Sequence, residues 1–154
     1  MENIHYQETQ STPLWTFLIA VVVVGILIFI MFFSSAYTEP IPDYLWWFFG
    51  AIIALLVFVT VNFAKLKIII TDIELDISYG IFHRRIPRRA IKKVEDIRLT
   101  FMNTGGIGIR ISSLGCTVYN SRWGKALKVE RNDGGKPVGF SANNPKQIKN
   151  ILGF

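Results

Sequence analysis

Apolar and polar residues follow two different rhythms along this chain. Residues 13–33 (PLWTFLIAVVVVGILIFIMFF) and 44–64 (YLWWFFGAIIALLVFVTVNFA) are each 21 residues of mostly apolar character with no polar face at helical spacing. At about 1.5 Å per residue either would cross a hydrocarbon core of about 30 Å as a helix. The pattern therefore predicts two transmembrane helices joined by a loop over 34–43. From Lys65 onward the rhythm changes to a period of two. Ile73, Leu75 and Ile77 alternate with Glu74, Asp76 and Ser78, as in a half-buried strand.

Further strands are expected where this alternation returns. Tyr79-Gly80 marks a tight turn, and Ile86 is extended because Pro87 follows it. KVEDIRLTF (93–101), IGIRIS and CTVYN read as strands, and NDGG (132–135) reads as a hairpin turn between two more. NNPKQIKNIL closes the chain with an Asn cap, Pro145 in the first helical turn and an apolar Ile148/Ile151/Leu152 face. Residues 65–154 thus predict about seven short antiparallel strands in a curled sheet or small barrel, with one C-terminal helix. Residues 1–12 are expected as a cytoplasmic tail whose order the pattern leaves open.

Charge gives the chain an orientation. All 17 Lys and Arg lie in 65–154 with seven of the 11 acidic residues, so that portion carries +10. The connecting loop has only Glu39 and Asp43, whereas Lys65 and Lys67 directly follow the second apolar segment. By the positive-inside bias, both termini face the cytoplasm and the protein is a multi-pass component of the cytoplasmic membrane. Trp15, Tyr44, Trp46 and Trp47 would then lie at headgroup level. SSA at 34–36 resembles a cleavage site, but no Lys or Arg precedes the first segment, and its apolar run exceeds that of a signal peptide.

One stretch resembles a known family. ITDIELDISYGIFHRRIPRRAIKKVEDI is similar to the opening of bacterial pleckstrin-homology-like (PH-like) domains. There an Ile-Thr-Asp turn, an alternating strand, a glycine and a basic pair precede Ile-Pro and spaced apolar positions, here Ile70-Thr71-Asp72, Gly80, Arg84/Arg85, Ile86-Pro87, Ile91 and Val94. The later GGIGIRI, VYNSRWGKALKVE and NNPKQI resemble one subgroup, and paired transmembrane helices ahead of such a domain occur in the family. The resemblance implies a PH-like fold and membrane association, and no agreed activity. Arg88 and Arg89 stand where the family usually has acidic residues, so the surface chemistry is this chain's own.

Candidate chemistry centres on YGIFHRRIPRRAIKKV (79–94), which carries Arg84, Arg85, Arg88, Arg89, Lys92 and Lys93 and no acid. Pro87 excludes one continuous helix, so the charges are expected along one rim of the sheet. With Lys65 and Lys67 they are the candidate contacts for anionic lipid headgroups, each worth about 1 kcal/mol near an anionic leaflet. A solvated face is the bland alternative. Nucleic acid is disfavoured because few aromatics interleave the charges, and no convergent phosphoinositide pocket is visible. NTGGIGIR lacks the Gly-Lys-Ser/Thr of a phosphate loop.

Catalysis finds little to work with. His5 lies in the tail, His83 sits in the basic run with no acidic orienter near in sequence, Asp72 and Asp76 lack further oxygen ligands for a metal, and lone Cys116 reads as a packing residue. No enzyme, cofactor or metal site is expected. Gly50 and Ala54 form a small-xxx-small face for helix packing, while Asn62 is read as interfacial. Two functional readings follow: a domain oriented on the inner leaflet by lipid, or an assembly module that recruits a protein partner or another copy through an exposed sheet edge or the loops around Trp123.

Overall fold

A computed structural model describes residues 3–37 and 42–154 of the chain, with backbone alone at 34–37. Its contacts divide it into a helical unit, Pro13–Asn62, and a β-rich unit built from Met1–Thr12 together with Phe63–Phe154. Residues 38–41 of the expected loop lie outside the described residues.

The helical unit contains α1 (Leu14–Tyr37) and α2 (Asp43–Asn62). Both are long and apolar enough to cross a membrane, with mean hydropathies of 3.1 and 2.3 over Leu14–Phe33 and Asp43–Asn62. Two polar side chains of α2 are satisfied locally: Thr60 donates to the Leu56 carbonyl (2.7 Å) and Asn62 to the Phe58 carbonyl (2.9 Å). Phe17, Ala20 and Val24 of α1 face Leu56 and Thr60 of α2 across a narrow apolar groove. Gly50 and Ala54 are exposed, and a Cβ placed on Gly50 would meet nothing within 4 Å. The small-residue face is therefore not the α1–α2 contact.

Among the described residues the β-rich unit holds nine strands in two sheets, where the pattern predicts about seven in one. β1 (Ile4–Ser11), β2 (Lys65–Thr71), β3 (Glu74–Tyr79) and β4 (Phe82–Pro87) form an antiparallel sheet in that order. A 3-10 turn over Arg88–Ala90 leads into β5 (Ile91–Leu99), and a short helix, α3 (Phe101–Thr104), leads on to β6 (Gly108–Ile111). β7 (Thr117–Asn120), β8 (Gly124–Arg131) and β9 (Val138–Ser141) complete a second sheet ordered β5-β8-β9-β7-β6. β7 and β9 run parallel, so this sheet is mixed, and neither sheet closes into a barrel.

Leu66, Ile68, Ile70, Leu75, Ile77, Tyr79 and Ile86 alternate inward from the first sheet. They share one core with Val94, Leu127, Val129 and Phe140 of the second sheet. Helix α4 (Pro145–Leu152) lays Ile148 and Leu152 on that core. Pro145 starts the helix as its sequence requires, while Asn144 occupies the cap position without a side-chain cap bond.

The strand at residues 4–11 is invisible to a reading of apolar alternation, because its inward positions include Glu8 and Gln10. Both are buried, and both are hydrogen-bonded. Gln10 donates to Glu8 (2.6 Å) and to the Ser141 carbonyl (2.9 Å), and accepts from the hydroxyls of Ser121 (2.6 Å) and Ser141 (2.8 Å). Glu8 also accepts from Tyr6 and from the Asn143 backbone N–H (2.9 Å). Tyr6 feels this carboxylate, and burial first, then the bond to Glu8, push its hydroxyl pKa far above the ordinary phenol value. Removing a partner from such a network exposes the unmet desolvation of the others. Gln10→Ala is expected to cost about 2 kcal/mol in thermal unfolding of the full chain, against less than about 0.5 kcal/mol for the exposed neighbour Thr9→Ala. Equal effects from the two substitutions would contradict this role for β1.

Candidate functional site

The first sheet has two distinct ends, and they divide the candidate residues between them. At one end the chain departs after Thr12 and returns at Phe63. Those points are tied together: the Thr12 N–H donates to the Ala64 carbonyl (2.9 Å), and its hydroxyl donates to the Phe63 carbonyl. β1 and β2 pair from here outward, with Ser11 opposite Lys65 and Thr9 opposite Lys67. We call this the exit end.

Aromatic packing consolidates the exit end. Phe63 stacks on Phe82 with centroids 5.6 Å apart and tilts against buried Tyr79 at 5.3 Å. Gly108, at φ +107°, sits so close to Phe63 that an added Cβ would touch the ring at 3.4 Å. A side chain there meets both an unfavourable backbone conformation and this ring. The β3–β4 turn, Gly80–Ile81, returns to the same end, because Leu66, Tyr79 and Phe82 share a row across the sheet. It leaves Ile81 65% and Phe82 42% exposed. Lys65 and Lys67 lie on the outer face between Ser11, Thr9 and Ser78, with no carboxylate within ion-pairing distance among the described residues.

The basic run does not line one rim. Strand β4 carries it away from the exit end, and its alternation separates neighbours onto opposite faces. Arg85 pairs outward with Glu74 (3.7 Å), and His83 contacts Asp76 on the same face (3.3 Å). Arg84 turns to the inner side, near Tyr119. Burial raises that tyrosine's pKa, and the Arg84 charge partly offsets the rise. At about 3.3 Å per residue, the row of Thr71 lies about 20 Å from that of Lys65. Arg88 is at this far end: its N–H donates to the Ile73 carbonyl (2.8 Å), and its guanidinium reaches the Thr71 carbonyl (3.5 Å) and the Ile151 carbonyl.

Arg88 therefore clamps the β2–β3 turn to the last turn of α4, where unpaired carbonyls favour a cation. Arg89 and Ala90 are held through their carbonyls by Asn132 (3.1 and 3.0 Å). Lys93 pairs with Glu95 at 2.5 Å; that hydrogen bond, then the charge, raises the lysine pKa and lowers the glutamate pKa. These exposed pairs contribute little stability. Among the described residues, Lys65, Lys67, Arg84, Arg89 and Lys92 are the members of the expected site whose side chains make no ion pair or hydrogen bond, and of these Arg84 is half-buried on the inner side.

His5 is not isolated in a tail. It contacts Asp72 at the far end, and its hydrogen bond holds that carboxyl below the usual carboxylate range. Cys116 is buried, and burial pushes its thiol pKa upward. Among the described residues no three His, Cys, Asp or Glu side chains gather as metal ligands would. The residues that sequence reasoning missed are Tyr6, Glu8 and Gln10. Their signal was present, as alternation of polar side chains large enough to reach across a core, but apolar scoring does not register it.

The division of labour within the run is measurable. Arg88→Gln should lower stability by about 1–2 kcal/mol through loss of charge-assisted bonds to partly buried carbonyls. Arg89→Gln should stay within about 0.5 kcal/mol of the parent in the same unfolding assay. The opposite ranking would overturn the assignment. Compared with protein-family models, curated proteins and solved structures, the chain matches none.

Proposed function

We propose that this chain is a non-enzymatic, two-span protein of the cytoplasmic membrane whose β-rich unit is a PH-like binding module on the inner leaflet. In this reading the exit end, not the whole basic run, meets lipid. The observation that carries it is the pairing of β1 with β2, which brings the departure and return of the chain together at one end of the sheet. With two apolar helices inserted between those points, both termini stay on one side of the bilayer, the side favoured by the concentration of Lys and Arg.

Lys65 and Lys67 then lie within a few residues of the headgroup layer, where each contributes about 1 kcal/mol on an anionic leaflet. Ile81 and Phe82 add exposed apolar surface at the same end. The run from Arg84 to Lys93 plays a lesser part. Arg88 and Arg89 belong to the end about 20 Å away, well beyond a Debye length of about 8 Å. Arg85 and Lys93 are neutralised by carboxylates, and Arg88 serves the fold. Anchoring comes from the helices, so the lipid contact sets orientation.

A second reading, assembly, draws on different surface. Phe101 and Met102 are 62% and 91% exposed beside Trp123, whose ring meets Phe101 edge-on at 6.0 Å. The open Gly50/Ala54 face of α2 is a place for a helix of another copy.

Spin labels distinguish the two ends. In a Cys116→Ala background, the full chain in nanodiscs of anionic lipid would carry a label at Ile81→Cys or at Arg89→Cys. The label at 81 should relax faster with lipid-soluble oxygen than with a water-soluble nickel chelate, and the label at 89 should do the reverse. Water-like accessibility at both positions would sink the exit-end contact.

A further inference from the structure

The aromatic surface around Trp123 has a definite place in the fold. The last row of the β5–β8 pair sets Leu99 opposite Gly124, and Phe101, Met102, Arg122 and Trp123 lie just past it, all exposed. Two contacts fix which end of the domain this is. Ser121, two residues before Trp123, donates its hydroxyl to Gln10 (2.6 Å), and Gln10 is two residues before Thr12, where the chain departs. Gly108, on the strand that follows α3, packs against Phe63, where the chain returns. At about 3.3 Å per residue, the Trp123 backbone is within about 7 Å of Ser121. The surface therefore belongs to the exit end, on the second sheet.

It is built on fixed backbone. The Asn103 side chain accepts from the Thr100 N–H (2.9 Å) and donates to the Arg98 carbonyl (2.9 Å). Its carbonyl accepts from the Ser112 hydroxyl (2.7 Å) and the Ser113 N–H (3.2 Å). Gly105, at φ +67°, ends α3 with a bond to the Phe101 carbonyl (2.7 Å). Large apolar side chains held out from so constrained a turn mark an interaction surface. The charge around them is of one sign. From Ile97 to Val129 the chain carries Arg98, Arg110, Arg122, Lys125 and Lys128 and no Asp or Glu. Arg122 and Lys125, on either side of Trp123, have no ion-pair partner among the described residues.

We infer that this surface is a second contact with the anionic leaflet: Phe101, Met102 and Trp123 enter the headgroup layer, and Arg122 and Lys125 engage lipid phosphates. Indole rings favour that depth, and long basic side chains keep their charge in the wet layer while their stems cover apolar surface. A second copy of this chain would bring the same cations face to face. Two apolar helices are joined to this end at Thr12 and Phe63, so lipid is at hand before any diffusing partner. The inference rests on the exit end facing the inner leaflet, and adds the second sheet to that contact.

The test uses the full chain, one copy per nanodisc of anionic lipid, in the Cys116→Ala background with a spin label at Met102→Cys. The label should relax faster with oxygen than with the nickel chelate. It should lose that preference in zwitterionic nanodiscs, or when Arg122→Glu and Lys125→Glu are added, and keep it when Arg89→Glu is added at the far end. Water-like accessibility at 102 with lipid-like accessibility at 81 would overturn the inference and leave the exit-end contact standing. Water-like accessibility at both would sink the two together. A label at 102 shielded from both reagents in discs holding two copies, but not one, would give the surface to assembly instead. Lipid-like accessibility that survives the charge reversal would overturn the roles of Arg122 and Lys125.

Discussion

Four hydrogen bonds to one side chain hold this architecture together. Gln10 engages Glu8, the Ser141 carbonyl, and the hydroxyls of Ser121 and Ser141, and so joins the first strand to a turn and a strand more than a hundred residues away. A buried amide without partners costs several kcal/mol, so β1 is stable inside only with this set complete. Because β1 belongs to the domain, the domain is discontinuous, and the apolar helices are an insertion between its first two strands. That topology ties the departure and return of the chain together and gives the β-rich unit a defined exit end.

The basic run shows how far a charge pattern can mislead when read without register. Six cations within ten residues look like one surface. In the fold they divide by strand alternation, by pairing with carboxylates, and by the helix terminus that recruits Arg88. Lys65 and Lys67, far less conspicuous in sequence, have no ion-pair partner among the described residues because their cross-strand neighbours are Ser11, Thr9 and Ser78. Availability depends on what lies opposite each residue, a long-range property that composition does not carry.

Much of the fold was legible for physical reasons that are local. Both apolar helices follow from uninterrupted hydrophobicity, and their limits, Leu14–Tyr37 and Asp43–Asn62, lie close to the expected 13–33 and 44–64. The extended segment before Pro87, the bend after it, the NDGG hairpin and Pro145 at the start of α4 follow from backbone restrictions of single residues. What escaped was non-local. The inward face of β1 is polar, so its strand character emerges only when Ser121, Ser141 and Asn143 arrive to bond it. The parallel pairing of β7 with β9 depends on β9 coming between β7 and β8, which no local pattern encodes.

The central claim is that residues 4–11 are the first strand of the domain, paired in register with β2 across the inserted helices. A double-cysteine variant, Thr9→Cys with Lys67→Cys in a Cys116→Ala background, tests it in the full chain, because these positions are directly opposite and exposed. Mild oxidation should give a rapid intramolecular disulfide, while the displaced pair Thr9→Cys with Thr71→Cys should stay reduced under the same conditions. Equal, slow or purely intermolecular crosslinking of the two pairs would show that the N-terminal segment is not docked, and the account of a discontinuous domain would be wrong.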